Sequence, residues 1–530
     1  MIKISNIKIP ADGSERDIVS AAEHIAGVKH GDIKLEKILK YSVDSRKKPN
    51  VYKIYTAVFS AQNESAILKR SGGRITEYIE KRYAFPCRGL KSDVRPLIVG
   101  LGPAGIMAAM MLCEAGLKPI VIERGYDADR RTADVERFWS GGNLDESSNV
   151  LFGEGGAGLF SDGKLTTGVN DERIKYVFER FCQFGAPKDI LYLSKPHIGT
   201  DILKDMIKNI RSHLISLGCE IRFGHTLTGL IHDGDKITAA EIRADGRTYT
   251  VKTGAVVLAV GNSARGTFEM LHDIGVKMEP KNFAVGVRIE HLQSKIDAAQ
   301  YGQAATLGTL PASDYKLAVH LEGGRSVFTF CVCPGGYVVA SASEKGGVVT
   351  NGMSEYKRDN TNINGGLLVS ISTDDYNDEL FGGIALQRKL EKSAYLAGGE
   401  NYRAPAQLVG DFLNKTPSAA LGDVIPSYRP GVRLCNLWDV LPEYICSALA
   451  EAIVQMDKKI AGFADKHAVL TAVETRSSSP VRIIRDENGH SSIRGLFPCG
   501  EGAGYAGGIT TASVDGIKTA EKLCQYLSNC

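Results

Sequence analysis

The sequence predicts an α/β chain: a Rossmann-like dinucleotide-binding domain in two separated pieces, an α+β domain inserted between them, and a small α+β domain in front. Three observations predict it. Pro96 to Gly125 reads as a complete β-α-β nucleotide unit, and Gly495 to Leu523 closes the chain with a glycine-rich strand-to-helix segment that would complete such a domain. No G-x-G-x-x-G follows between Ser263 and Gly495, so a second dinucleotide domain is not evident.

The nucleotide unit is PLIVGLGPAGIMAAMMLCEAGLKPIVIERG. Leu97 to Val99 form a short apolar run, Gly100-Leu101-Gly102-Pro103-Ala104-Gly105 is the glycine motif, Ile106 to Glu114 has the small and apolar residues of a buried helix, and Pro119 to Ile122 leads into Glu123. The first glycine permits a tight turn, the second lets backbone approach a pyrophosphate, and the third lets helix and strand pack closely, with the helix N-terminus facing the phosphates. Glu123 lies where a carboxylate can accept the ribose hydroxyls of an adenosine, and its charge argues against a 2′-phosphate. The ligand is FAD or NAD by this reading.

The first 95 residues form their own module: a strand from Met1 to Ile9, a helix from Ser14 to Ile25, a strand from Val51 to Phe59, a helical stretch from Ala66 and a strand near Ile75. The module carries 19 Lys and Arg against 11 Asp and Glu, whereas the whole chain has a net charge of only +3. The densest part, Arg46-Lys47-Lys48 with Lys53, suits a solvated face; a nucleic-acid surface is the other reading, and no RNA-binding signature accompanies the charge. At 530 residues with 43% hydrophobic and 24% charged residues, the chain is an ordinary globular one of two or three domains. It has neither a run of eighteen apolar residues nor an apolar core of a signal peptide in MIKISNIKIP, which leads to the expectation of a cytoplasmic protein with no membrane association. Eleven cysteines without a C-x-x-C pair or a metal-like Cys/His spacing make a disulfide framework or a metal site unexpected. Glycine, at 58 residues, exceeds the roughly 7% average.

After Glu123 and Arg124, a charged helix from Asp127 to Trp139 precedes NVLFGEGGAGLFSDGKLTTG, Asn149 to Gly168. Its backbone N–H groups suit an anion or a flavin edge, and Phe152, Leu159 and Phe160 argue for a ligand-facing loop over a flexible linker. Helices follow by spacing at Ile174 to Phe184 and Ile202 to Leu217, with His197 between them as a possible acid/base or simply structural residue. From Glu220, the segments EIRFGHTLTGLIHD, KITAAEIRAD and RTYTVK alternate around Asp233-Gly234-Asp235 and Asp245-Gly246-Arg247, giving a three-stranded meander; a buried strand, Ala255 to Val260, then ends in Gly261-Asn262-Ser263. Residues 277–494 form the inserted substrate domain, with strands at Phe283 to Glu290, Ser326 to Val332 and Gly335 to Ala342 and helices at Ile384 to Leu396 and Pro442 to Gly462. Cys331 and Cys333 fall on one face of an extended strand, as a redox dithiol, a soft metal site or, more simply, two packed cysteines before a turn.

The closing stretch GLFPCGEGAGYAGGITTASVDGIKTAEKL has a short strand at Leu496 and Phe497, then Gly500-Glu501-Gly502, and a helix from about Thr511. Glu501 suits a ribityl or ribose hydroxyl, and the helix N-terminus at Ile509 to Ala512 places positive potential where a reduced flavin carries charge. With GEGGAGLFSDGK at Gly153 to Lys164, GVRIEH at Gly286 to His291, CVCPGGYVVASASE and TNGMSEYKRD, these segments resemble the uncharacterised FAD-dependent dehydrogenases, bacterial flavoproteins of the glutathione-reductase-like FAD fold. That resemblance covers almost the whole chain and implies FAD rather than FMN, which has no adenosine for Glu123. It implies no disulfide reduction, since the C-x₄-C of glutathione reductases and their NAD(P)H domain are missing.

The expected FAD domain is 96–276 plus 495–530. Its expected contacts are Gly100, Gly102, Pro103, Ala104, Gly105, Glu123, Arg124, Gly155, Gly156, Ala157, Ser161, Gly163, Lys164, Thr226, Gly261, Gly500, Glu501, Gly507, Gly508, Ile509 and Ala512. The expected chemistry is hydride transfer between flavin N5 and a small or medium organic substrate, with Lys164 and Tyr505 ahead of His197, Arg288 and Cys331 as reacting side chains. NAD(P)H is a possible electron donor without a dedicated domain. An RNA-associated flavoprotein and a flavin monooxygenase are the alternatives.

Overall fold

The computed structural model describes residues 1–528, so the last two positions of the segment 495–530 lie outside the described residues. Its central sheet has five parallel strands in the order Leu496–Pro498, Val256–Leu258, Leu97–Val99, Ile120–Glu123 and Glu220–Phe223. All but the last are short, wholly buried apolar runs, as a parallel sheet covered on both faces requires. The C-terminal strand lies beside Val256–Leu258, which brings the two ends of a long excursion together. The helices Pro103–Glu114 and Ile509–Ser528 pack on each other so closely that a Cβ on Gly516 would run into the Ala104 carbonyl. The meander Thr226–Asp233, Lys236–Ala244 and Arg247–Lys252 stands apart as an antiparallel three-stranded sheet.

The long segment between these pieces builds a seven-stranded sheet in the order Ala318–His320, Ser326–Cys333, Asn362–Ile371, Phe283–Leu292, Val469–Glu474, Ala404–Leu408 and Val432–Leu434. Only the last pair is parallel. The helix Glu443–Asp457 buries Ile445, Leu449, Ala452, Ile453 and Met456 in the same core as Val285, Val287, Leu367 and Val369 from the central strands. At the front of the chain, Ile33–Lys47, Asn50–Ala61, Ile2–Pro10 and Ile75–Glu77 form a four-stranded antiparallel sheet. The helix Glu15–Ala26 covers it with Ile18, Ala22 and Ala26; it starts at a Ser14/Asp17 capping box and stops at Gly27, whose φ of 64° is the left-handed cap geometry.

Three expectations are corrected. The 15-residue strand Ile33–Lys47 has no counterpart in the sequence reading, because register shifts at Leu35/Lys37, Ile38/Lys40 and Asp44/Lys47 break the period-two pattern. EIRFGHTLTGLIHD is two strands, since Gly224 at φ 73° turns the chain out of the parallel sheet and into the meander. Cys331 and Cys333 do not share a face: a register shift follows Phe330, Cys331 has φ 40°, and it is exposed while Cys333 is buried.

Candidate functional site

The turn after Leu97–Val99 shows three different uses of glycine. Gly100 sits at φ 100° with no room for a Cβ against the Ala259 carbonyl, 2.6 Å away, and a Cβ on Gly105 would collide with the Gly100 carbonyl. These two let helix and strand close together. A Cβ on Gly102 would meet only the Gly156 Cα, at 3.8 Å, so this glycine leaves an open face between the nucleotide turn and the glycine-rich loop. Gly102 is also the N-cap of Pro103–Glu114 and offers no side-chain cap, leaving the first N–H groups of the helix for a ligand.

Glu123 ends the next strand with its carboxylate held by three backbone N–H donors: Leu101 to Oε2 at 2.9 Å, and Gly125 and Gly153 to Oε1 at 2.9 and 3.0 Å. A carboxylate has about four acceptor positions, so one remains on Oε2 for a hydroxyl. Beside it, the Arg124 guanidinium lies 3.5 Å from the Phe152 ring centre.

The glycine-rich loop is held from below by Arg131, which is fully buried and donates to the carbonyls of Asn149 (2.8 Å), Val150 (2.8 Å), Glu154 (2.6 Å) and Gly156 (2.9 Å). Burial draws its pKa down to about 10, which leaves it charged at neutral pH. Farther along, Arg358 grips Asp162 with two parallel bonds, Nε to Oδ1 at 2.9 Å and Nη2 to Oδ2 at 2.5 Å, and Ser354 donates to the same carboxylate. Lys164 Nζ donates to the Val332 carbonyl, which ties the loop to the seven-stranded sheet.

The C-terminal segment forms the facing wall. Asn262 Nδ2 bridges Glu501 Oε1 at 2.7 Å and the Arg476 carbonyl at 3.0 Å. Burial pushes the Glu501 carboxyl up to about 7, so that near neutral pH it exists in both protonation states and can give or accept a hydrogen bond. The Arg476 side chain is fixed by a double ion pair to Glu391, which also holds fully buried Arg265. Arg288, under the same wall, bonds Cys331 O at 2.8 Å, Asn351, Asn364 and Glu474.

Together these segments enclose one cavity of about 840 Å³, within the range of cofactor and ligand pockets. Of the residues expected at a cofactor, Gly100, Gly102, Pro103, Ala104, Glu123, Arg124, Gly156, Ala157, Ser161, Gly163, Lys164, Thr226, Gly261, Glu501, Gly507, Gly508, Ile509 and Ala512 line it. Gly105, Gly155 and Gly500 stand behind the wall: Gly105 packs under Gly100, Gly155 faces Leu159 and Ile207, and Gly500 abuts Ala104. Two expected reacting residues are also corrected in position. Tyr505 is outside, 39% exposed, with the Arg485 guanidinium 3.9 Å from its ring centre. His197 turns away from the cavity; its ring stacks on Tyr356 at 5.4 Å and Nε2 bonds the Tyr356 carbonyl at 2.9 Å, with burial and then Arg358 lowering its pKa. Arg288 is buried beneath the wall, whereas Cys331 is on it and exposed. The sequence reading missed Arg131, Arg358, Asn262 and Arg476 as site residues; the polar run Arg476-Ser477-Ser478 straight after an apolar strand was a signal that could have found one of them.

Residues 91–279 match the FAD binding domain family, residues 282–477 the family of FAD-dependent protein, C-terminal domain-like, and residues 1–60 a domain family of unknown function. An "Uncharacterized protein" of Clostridium beijerinckii is 43% identical over 529 residues, 99% of this chain and 98% of that one. Among solved structures, a flavin-dependent brominase is similar at 14% identity and a TM-score of 0.39, covering 82% of this chain and 80% of that one. The anhydrotetracycline hydroxylase OxyS of Streptomyces rimosus gives 13% identity and 0.34 over 82% and 63%. A flavoprotein/dehydrogenase of Cytophaga hutchinsonii gives 10% identity and 0.36 over 82% and 79%.

Proposed function

From the premise that the chain belongs to the FAD-dependent protein family of the Clostridium beijerinckii relative and is an FAD-dependent oxidoreductase, we propose that it moves a hydride between the flavin and a small or medium organic substrate. The observation that carries this reading is that Gly102 of the nucleotide unit, Gly156 of the glycine-rich loop and Ile509 of the C-terminal segment, three separate stretches of chain, wall one cavity. The residues fit FAD: the open Gly102/Gly156 face admits a pyrophosphate against free helix N–H groups, and the remaining acceptor on Glu123 suits a ribose hydroxyl. When bound, the flavin supplies the hydride-accepting or hydride-donating centre. The protein's part is to orient and to stabilise. Glu501, steadied by Asn262, would hold a hydroxyl of the cofactor chain, and the N-terminus of Ile509–Ser528 would face its negative charge. Lys164 is the side chain assigned to the substrate. The two-piece organisation of the FAD domain, of the glutathione-reductase kind, is supported by the pairing of Leu496–Pro498 with Val256–Leu258.

The same reading gives the basic N-terminal charge to contacts within the protein. Arg46 pairs with Asp44 at 2.8 Å, Lys37 with Glu80 at 2.9 Å, Lys53 bonds the Gly13 carbonyl at 3.1 Å and Lys48 bonds the Ala299 carbonyl. Salt-dependent retention of RNA by the full-length protein would count for the RNA-associated alternative instead.

Heating the purified protein and identifying the released cofactor by chromatography tests the reading. FAD is expected; FMN, or a nicotinamide with no flavin, overturns it. Glu123→Ala is expected to weaken FAD retention by about 1–3 kcal/mol, and Gly102→Val to abolish it by filling the open face. Anaerobic mixing with NADH and with NADPH, followed in the flavin absorbance, decides whether either is the electron donor.

A further inference from the structure

The end of the cavity around Lys164 holds six charged wall residues brought together from four segments: Asp162, Lys164, Lys195, Asp314, Lys316 and Arg358. Both carboxylates already have their own cation. Arg358 is bidentate on Asp162, and Lys195 is paired with Asp314. Two cations remain without a carboxylate among the described residues. Lys164 reaches only the neutral Val332 carbonyl, and Lys316 has neither an ion pair nor a hydrogen bond. The local field is positive. Although burial opposes ionisation of Asp314, Lys195, Lys164 and Arg358 hold its carboxyl below the ordinary range.

Beside these charges, Phe330 and Val332 give the wall apolar surface. Two amines and an apolar strip match a compact monoanion on a hydrocarbon body, while the fork of Arg358 that would suit a dianionic phosphate is occupied by Asp162.

We propose that this end of the cavity binds the carboxylate of an organic acid, between Lys164 and Lys316, with the hydrocarbon part of the acid along Phe330 and Val332. The inference deepens the flavin reading and rests on it for which end the cofactor leaves free. The test titrates the purified, flavin-loaded protein with benzoate and hexanoate, their neutral isosteres benzamide and hexanamide, and phenyl phosphate. Two readouts are followed, the flavin spectrum and the thermal midpoint of the protein. Each acid is expected to bind about tenfold or more tightly than its amide, with the gap narrowing as salt is raised. Lys316→Met, and separately Lys164→Met, are each expected to weaken the acids about tenfold while leaving amide affinity unchanged. Equal affinity for acid and amide, no binding by any probe, unchanged acid affinity in both variants, or tighter binding of phenyl phosphate than of benzoate overturns the proposal. A protein that purifies without flavin defeats the cofactor reading alone, because the acid-against-amide comparison is then still read from the thermal midpoint.

Discussion

Glu154 is fully buried, and its carboxylate is only half provided for. Oε2 accepts from the Ala128 N–H at 2.7 Å and from Arg211 at 3.0 Å, while Oε1 has no partner among the described residues. Burial outweighs both partners and pushes its pKa up to about 7 from an ordinary 4.5. A carboxyl that holds its proton more tightly when folded contributes its full stability below the unfolded pKa and loses it as pH rises toward the folded one. Wild-type protein therefore pays a growing penalty between pH 4.5 and 7, and Glu154→Gln, which keeps the shape and cannot ionise, escapes it. The stability of Glu154→Gln relative to wild type is expected to be greater at pH 8 than at pH 4.5, by up to about 3 kcal/mol. Thermal midpoints at the two pH values check this, and an unchanged difference contradicts it. Glu123, Gly102 and Glu501 were legible in the sequence because each sits at a fixed distance from a glycine signal. Arg131 and the Arg358–Asp162 pair were not, since an arginine buried against four carbonyls, or one paired across 196 positions, leaves no local pattern.

The elements that place the site depend on close backbone contacts more than on side chains. Where Ile509–Ser528 crosses Pro103–Glu114, a side chain at Gly516 has no space, because its Cβ would enter the Ala104 carbonyl. Gly516→Val must push the helices apart, and both helices start at the cavity. A loss of about 1–3 kcal/mol or more in stability is expected, together with loss of bound flavin. Gly507→Ala is the control: it lies on the cavity wall with nothing within 4 Å of its Cβ, so the fold should be kept. A Gly516→Val protein that melts like wild type and stays yellow contradicts the argument. The same dependence explains which strands the sequence concealed. Asn362–Ile371, which has no counterpart in the sequence reading, contains Gly365 and Gly366, and a Cβ at either would lie 2.9 Å from Val332 Cγ2 or Glu474 Oε2, so the glycines are demanded by side chains crossing a central strand. The meander showed plainly because its strands are short and two Asp-Gly turns mark where they reverse.

Across the whole molecule, the N-terminal sheet braces the rim of the cavity. Ile33–Lys47 is an edge strand, and on its outer side Tyr41 N–H donates to the Tyr192 carbonyl at 2.7 Å while the Tyr41 carbonyl accepts from Ser194 N–H at 2.8 Å. Ser194, Lys195 and Pro196 are themselves cavity wall. Below this contact, Ala11 and Val51 pack with Tyr301 and Ala304 of the inserted segment, so the module touches both halves that form the pocket. Tyr41→Pro removes the outward N–H and leaves the strand's inner pairing side alone, a position where an edge strand tolerates proline. The expected outcome is about tenfold faster amide hydrogen exchange over residues 193–195, with flavin still bound and the melt still cooperative. Tyr41→Phe, which keeps the backbone donor, should exchange like wild type. If Tyr41→Pro leaves exchange in that segment unchanged, the wall is rigid by itself and the N-terminal sheet does not support it; if flavin is lost as well, the brace extends past the rim to the cofactor end of the cavity.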